Sequence, residues 1–210
     1  MLIPISTPSF DSWLETLPPH EKAWVQSTGF RGKSGTIAPV AGEKNTVSHI
    51  YVGIGTDKLG AGTIWWLAAV ADLLPEGQYI LPNGLDAGTI QAAMLGWCMA
   101  HYTFDRYKSG NTLKKRTLLL GKNADITTVL QTAEAMAHVR DLVNTPAEDM
   151  GPSELQEAAE ILAETYGGSI STIVGDDLLD ENFPAIHAVG RAAESGRAPR
   201  LIDLRWGRED

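Results

Sequence analysis

The chain has 210 residues, enough for one large domain or two small ones, and its 43% hydrophobic and 20% charged residues predict a packed core rather than disorder. The formal charge of -9 is uneven: residues 1–121 carry 10 Lys and Arg against 9 Asp and Glu, while residues 122–210 carry 7 against 17. Two regions of different character follow, and the charge of the second argues against a nucleic-acid surface there, because phosphate affinity needs clustered Lys and Arg.

In chain order, Thr36–Val40 and Val47–Ile54 read as strands, the second rich in β-branched and aromatic residues. Thr63–Leu74 reads as a helix ending before Pro75. Gln78–Leu81 is a short strand closed by Pro82-Asn83-Gly84. Ala87–Tyr107 reads as one long helix with Ile90, Ala93, Met94, Trp97, Ala100 and Phe104 on one face. Arg116–Leu120 is another strand. The helix predicted over Ala124–Val143 carries an apolar stripe of Ile126, Val129, Leu130, Ala133, Met136 and Val143, and Pro146 stops it. Ser153 and Gln156 have capping-box spacing, starting a helix with Leu155, Ala159, Leu162 and Tyr166 inward and Gly167-Gly168 at its end. Ser169–Val174 is a strand. Asn182 caps a helix with Pro184 in its first turn, running to about Ala193, and Leu201–Trp206 is the last strand. This alternation predicts α/β structure throughout.

Few motifs carry chemistry. Cys98 is the only cysteine, which rules out a disulfide within the chain and a zinc site built on two cysteines. The opening residues, Met1–Phe10, lack a basic segment and a long apolar core, so no signal peptide is expected. No stretch approaches the roughly 18 apolar residues needed to span a bilayer. A soluble cytoplasmic protein is the expectation. Gly53-Ile54-Gly55 follows a strand, but position 58 is Lys where a dinucleotide fingerprint needs its third glycine, so a glycine turn is favoured. Gly55 and Gly60 have P-loop spacing, but Ala61 replaces the required Lys. Ser34, in Gly32-Lys33-Ser34-Gly35, lacks the spacing of a nucleophile elbow. His138 and Asp141 share a helix face without a third ligand, and a solvated pair is favoured. His20, His49, His101 and His187 read as isolated core or surface histidines. Asp176-Asp177 reads as a helix start rather than a metal site. Arg106, Lys108, Lys114, Lys115 and Arg116, interleaved with Tyr107, read as a solvated basic face. Of Trp65 and Trp66, side by side on a helix, one is expected to be exposed.

One segment is far more specific. Arg140-Asp141-Leu142-Val143-Asn144-Thr145-Pro146-Ala147-Glu148-Asp149-Met150-Gly151-Pro152 resembles the junction of leucyl aminopeptidases, where a linking helix ends in Arg-x-Leu-Val-Asn-x-Pro-Ala and the catalytic domain begins. Ala188-Val189-Gly190-Arg191 and Pro199–Trp206 follow in the family's order, and Asn182–Arg191 resembles bacterial members in particular. Glu148 departs from the family, many members having Asn there. Val52-Gly53-Ile54-Gly55 and Leu95-Gly96-Trp97 with Tyr102-x-Phe104 resemble its N-terminal domain less specifically. The resemblance implies a macro-domain-like α/β domain over 1–121, a linking helix over 122–145, and an incomplete start of an α/β metallo-exopeptidase catalytic domain over 146–210. It also implies peptide substrates, a homo-hexamer, and two zinc or manganese ions in the complete enzyme. The family's ligands lie on a later strand with Gly-Lys-Gly and Phe-Asp and in an Asn-Thr-Asp-Ala-Glu-Gly-Arg loop. Neither occurs here, the chain stopping before the first. No catalytic, cofactor-binding or metal-binding residue and no bound metal is therefore expected in this chain, nor any nucleic-acid or membrane partner. A rival expectation is a macro-like binding module holding a nucleotide or partner protein at the Gly53–Gly62 loop.

Overall fold

Alternation along one strand organises the first half of the chain. The computed structural model describes residues 1–43, 46–56, 59, 65–108, 114–121, 125–194 and 196–207. Strand β3 (Val47–Gly55) lies between β1 (Leu2–Ser6), parallel to it with Leu2 opposite Ile50, and β2 (Ile37–Ala41), antiparallel with Ile37 opposite Val52. Successive side chains of a strand face opposite ways. Ile50, Val52 and Ile54 thus join Leu2, Trp66, Leu67, Val70, Leu74, Tyr79, Ala93 and Trp97 in one core cluster. Tyr51 turns the other way and joins Ile5, Phe10, Leu14, Val25, Phe30 and Ala38 in a second. Each fully buried Leu, Ile or Val contributes on the order of 1.5–3 kcal/mol.

The second cluster is covered by α1 (Phe10–Leu14) and α2 (Pro19–Ser27). The first is covered by α3 (Trp65–Ala68), which packs on α4 (Ala87–Ala100). Between these helices come a 3₁₀ turn at Ala71–Leu73 and β4 (Gly77–Ile80), which runs parallel to β5 (Arg116–Leu119). The Arg116 side chain, 5% exposed, ties this region together: Nε donates to Leu74 O at 2.8 Å and Nη2 to Asp72 O at 3.1 Å. After α5 (Ile126–Asn144) come α6 (Pro152–Tyr166), β6 (Ser169–Val174), α7 (Asp177–Asp180), α8 (Pro184–Gly190) and β7 (Arg200–Arg205). Here β6 and β7 form a two-stranded antiparallel sheet against which α6 packs. The chain divides into two compact units, Met1–His138 and Val139–Asp210. Among the described residues no helix is long and apolar enough to cross a membrane.

Several expected elements are corrected. The helix expected over Thr63–Leu74 is α3 plus a separate 3₁₀ turn, and positions 63–64 lie outside the described residues. The helix expected to reach Tyr107 stops at Ala100, and His101, whose Nδ1 donates to Trp97 O at 2.8 Å, caps it. The α6 cap is not Ser153. Gly151 is the N-cap, Pro152 starts the helix, and Glu154 Oε2 accepts from the Gly151 N–H at 2.9 Å. Leu155 and Tyr166 are exposed, and the deeply buried position of α6 is Ala163. Asn182 does not cap α8 but takes a left-handed backbone (φ 63°), leaving Phe183 as the cap, and α8 ends at Gly190.

Candidate functional site

The junction segment is held by hydrogen bonds to one arginine. α5 ends where Thr145, 7% exposed, bonds back to Asp141 O through its amide (3.0 Å) and its hydroxyl (2.7 Å). Pro146 O then accepts from the amides of Asp149 and Met150, each at 2.9 Å, making a tight turn. Arg197 reaches back across this turn, with Nη1 donating to Ala147 O at 2.6 Å and Nη2 to Glu148 O at 2.5 Å. A Cβ at Gly151 would meet Arg197 Nη1 and Glu154 Oε2, each at 2.8 Å, so a larger residue would push these two side-chain ends aside. Glu154 completes the knot. Backbone hydrogen bonding at its own residue, then bonds from Ser153 and Gly151 and the nearby Arg197 charge, hold its carboxyl below the ordinary range against desolvation. Gly175 N–H donates to Pro199 O at 2.8 Å, and Gly190 lies so close to the Pro199 ring that no Cβ fits. The resemblance segments around 140–152, 188–191 and 199–206 thus belong to one arrangement of turns, helix ends and strand.

The titratable residues are placed as follows. Asp176 and Asp177 do start α7, and Asp176 Oδ1 also lies 3.0 Å from His187 Nε2. Among the described residues the buried His138 Nε2, His101 Nε2 and Trp66 Nε1 have no hydrogen-bond partner. Cys98 is half-buried, and burial pushes its thiol up. Trp66 is buried and Trp65 exposed. Gly53 adjoins Lys33 O and Gly32 so closely that a Cβ would overlap them, and Gly55 has a positive φ of 71° beside Ser34. Instead of the expected turn, Gly53-Ile54-Gly55 is the end of strand β3, and Gly53 is needed there for the close approach of the 32–36 backbone. Positions 57–58 and 60–62 of the Gly53–Gly62 loop, with the Gly60-Ala61 end of the P-loop spacing, lie outside the described residues.

Two of the histidines expected to be isolated have acidic partners: His187 meets Asp176, and His49 belongs to a larger network. Its Nε2 lies 3.0 Å from Glu21 Oε1, its Nδ1 lies 3.1 Å from Ser48 Oγ, and Tyr51 OH donates to the same Glu21 oxygen. Burial works to raise the Glu21 carboxyl, but the bonds from Tyr51 and His49 outweigh it and hold the group low. Burial and then Glu21 push the Tyr51 hydroxyl up. Glu21 lies 28 positions from His49, on another element, so local spacing did not reveal the pair. The available signal was His49 two residues before Tyr51 on an alternating strand. Among the described residues no three His, Cys, Asp or Glu side chains are grouped to hold a metal ion.

Residues 2–120 match the M17 aminopeptidase N-terminal domain, and residues 137–210 match the catalytic domain of the cytosol aminopeptidase family. The chain belongs to the M17 aminopeptidase family. It is similar to a probable cytosol aminopeptidase of Nocardia farcinica, 28% identical over 197 residues, which cover 86% of this chain and 39% of that protein. It is similar in structure to the cytosol aminopeptidase of Coxiella burnetii (TM-score 0.82, 31% identity, 99% of this chain and 44% of that one). A second structural neighbour is the bottromycin maturation enzyme BotP in complex with Mn (TM-score 0.69, 26% identity, 90% of this chain and 43% of that one). The chain therefore spans about two-fifths of the length of these relatives.

Proposed function

We propose that this chain supplies the N-terminal macro-like domain (1–121), the linking helix (122–145) and an incomplete start of the catalytic domain (146–210) of a leucyl aminopeptidase. That enzyme would be a cytoplasmic, metal-dependent exopeptidase that releases N-terminal amino acids from peptides and assembles as a homo-hexamer. The observation that carries this reading is the ordered match of both domains, with 31% identity over 99% of the chain to a cytosol aminopeptidase. The Mn complex of one structural neighbour supports a divalent ion as cofactor, with two zinc or manganese ions in the complete enzyme.

The described residues of this chain do not fit such a centre. The acid–histidine contacts at Glu21–His49 and Asp176–His187 each bring only two such groups together, and no third His, Cys, Asp or Glu joins either. No residue of 1–210 is given a catalytic, cofactor or metal role in the peptidase reaction. The purified chain, offered leucine p-nitroanilide with manganese or zinc, is expected to give no turnover above a metal-only blank. Chelator-sensitive turnover would overturn this assignment and require a site among these residues.

A further inference from the structure

The network around Glu21 extends one residue further than anchoring α2 to β3 requires. The Glu21 carboxylate has no proton to give, so His49 Nε2 carries the hydrogen of their 3.0 Å bond. In its neutral form the imidazole then presents Nδ1 as an acceptor for the Ser48 hydroxyl, 3.1 Å away. Tyr51 donates to the same Glu21 oxygen and sets its ring edge-on to His49, centroids 4.9 Å apart, which holds the imidazole plane. A hydroxyl, a base and a carboxylate that orients the base thus stand in one hydrogen-bonded series, the arrangement that activates a serine nucleophile. The His49 and Glu21 side chains are only 18% and 13% exposed, whereas Ser48 is exposed.

Ser48 and His49 line a cavity of about 220 Å³. Gln78 lines it too, and its carboxamide is a donor suited to a developing oxyanion. Glu76 shares the lining and disfavours an anionic ligand. The volume is below that of ordinary drug-sized pockets and suits a small acyl group.

We propose that Ser48, His49 and Glu21 form a nucleophilic site that accepts acyl groups from small uncharged esters. Ser48 Oγ attacks the ester carbonyl carbon while its proton passes to His49 Nδ1. The bond from that carbon to the leaving oxygen breaks, the leaving oxygen takes the proton from Nδ1, and acyl-Ser48 and an alcohol result. Water, deprotonated by the same nitrogen, then attacks acyl-Ser48 and releases the carboxylic acid, with the proton returning to Ser48. Glu21 is a positioning residue that fixes the tautomer and plane of His49. The inference stands on the first unit alone and does not depend on the peptidase reading.

The test is the full chain with p-nitrophenyl acetate in the presence of chelator. A burst of nitrophenolate approaching one equivalent per chain is expected, with the acetyl group mapped to Ser48 by peptide mass spectrometry. Ser48→Ala should abolish the burst, and because this side chain is exposed the fold should be kept. His49→Ala should slow acylation roughly 100-fold, and added imidazole should restore part of the rate, a rescue that a purely structural histidine would not show. Absence of a burst above an equal concentration of free imidazole, acetylation elsewhere, or an undiminished burst in folded Ser48→Ala would each overturn the proposal and leave the network as an anchor for α2.

Discussion

Gly53 and Gly121 provide opposite tests of what a missing side chain does in this fold. Gly53 sits mid-strand with an ordinary backbone angle, so its need for glycine is steric: a Cβ would run into Lys33 O, the Thr36 hydroxyl and the Gly32 backbone. Those atoms are mostly main chain, and β3 is itself paired on both sides, so neither wall yields cheaply. Overpacking of this kind costs typically 1–3 kcal/mol, and Gly53→Ala should fall at the upper end. Among the described residues Gly121 has nothing within 4 Å of its would-be Cβ. Gly121→Ala should therefore leave stability within about 0.5 kcal/mol. Urea unfolding of the two variants decides the matter, since equal midpoints would mean that the loop at residues 32–36 is free to move away.

At the scale of elements, the hydrophobic period located most strands and helices, but the caps moved their ends. The repeat over 87–107 continues to Phe104 in the sequence, yet α4 ends where the His101 side chain bonds back to Trp97 O. Ser153 looks like a cap by type, but Glu154 is placed three residues after Gly151 and satisfies that amide instead. Strand β1 escaped notice because Pro4 breaks its pattern. It is an edge strand, where a missing N–H is tolerated. The Arg197 clamp lay beyond sequence reasoning for a different reason: its acceptors are backbone carbonyls 49 and 50 positions away. Family resemblance flagged the 140–152 segment but gave no partner for it. Arg197→Met keeps the aliphatic stem and removes both bonds. Because the guanidinium and its acceptors are exposed, water replaces part of the loss, and about 1 kcal/mol is expected rather than the full value of two charge-assisted bonds. Amide exchange should report the change locally, with Asp149, Met150 and Gly151 exchanging faster and the interior of α6 unchanged. Equal acceleration throughout α6 would show that Arg197 supports the whole helix and not the turn alone.

Over the whole molecule the two units differ in how much they bury. Both core clusters belong to the first unit, whereas among the described residues the buried hydrophobics of the second are Ala163 and Leu178. Val189 and Val143 are 87% and 78% exposed, and Ile161, Tyr166 and Trp206 also face solvent. A two-stranded sheet has little stability of its own, and β6–β7 relies on α6 for cover. Charge adds to the imbalance, because residues 122–210 carry 7 basic groups against 17 acidic ones and repel one another in the compact state. Local opening should therefore be cheaper after Pro146 than in β1, β2 and β3. Native-state hydrogen exchange is expected to show slow amides at Ile50, Val52 and Ile54 and faster ones through β6 and β7. Limited proteolysis should remove the C-terminal part first and leave a resistant core of roughly the first 120–145 residues. If both regions of a demonstrated monomer were equally protected, the thin core of Ala163 and Leu178 would be sufficient, and the link drawn here between buried apolar surface and local stability would fail for the second unit.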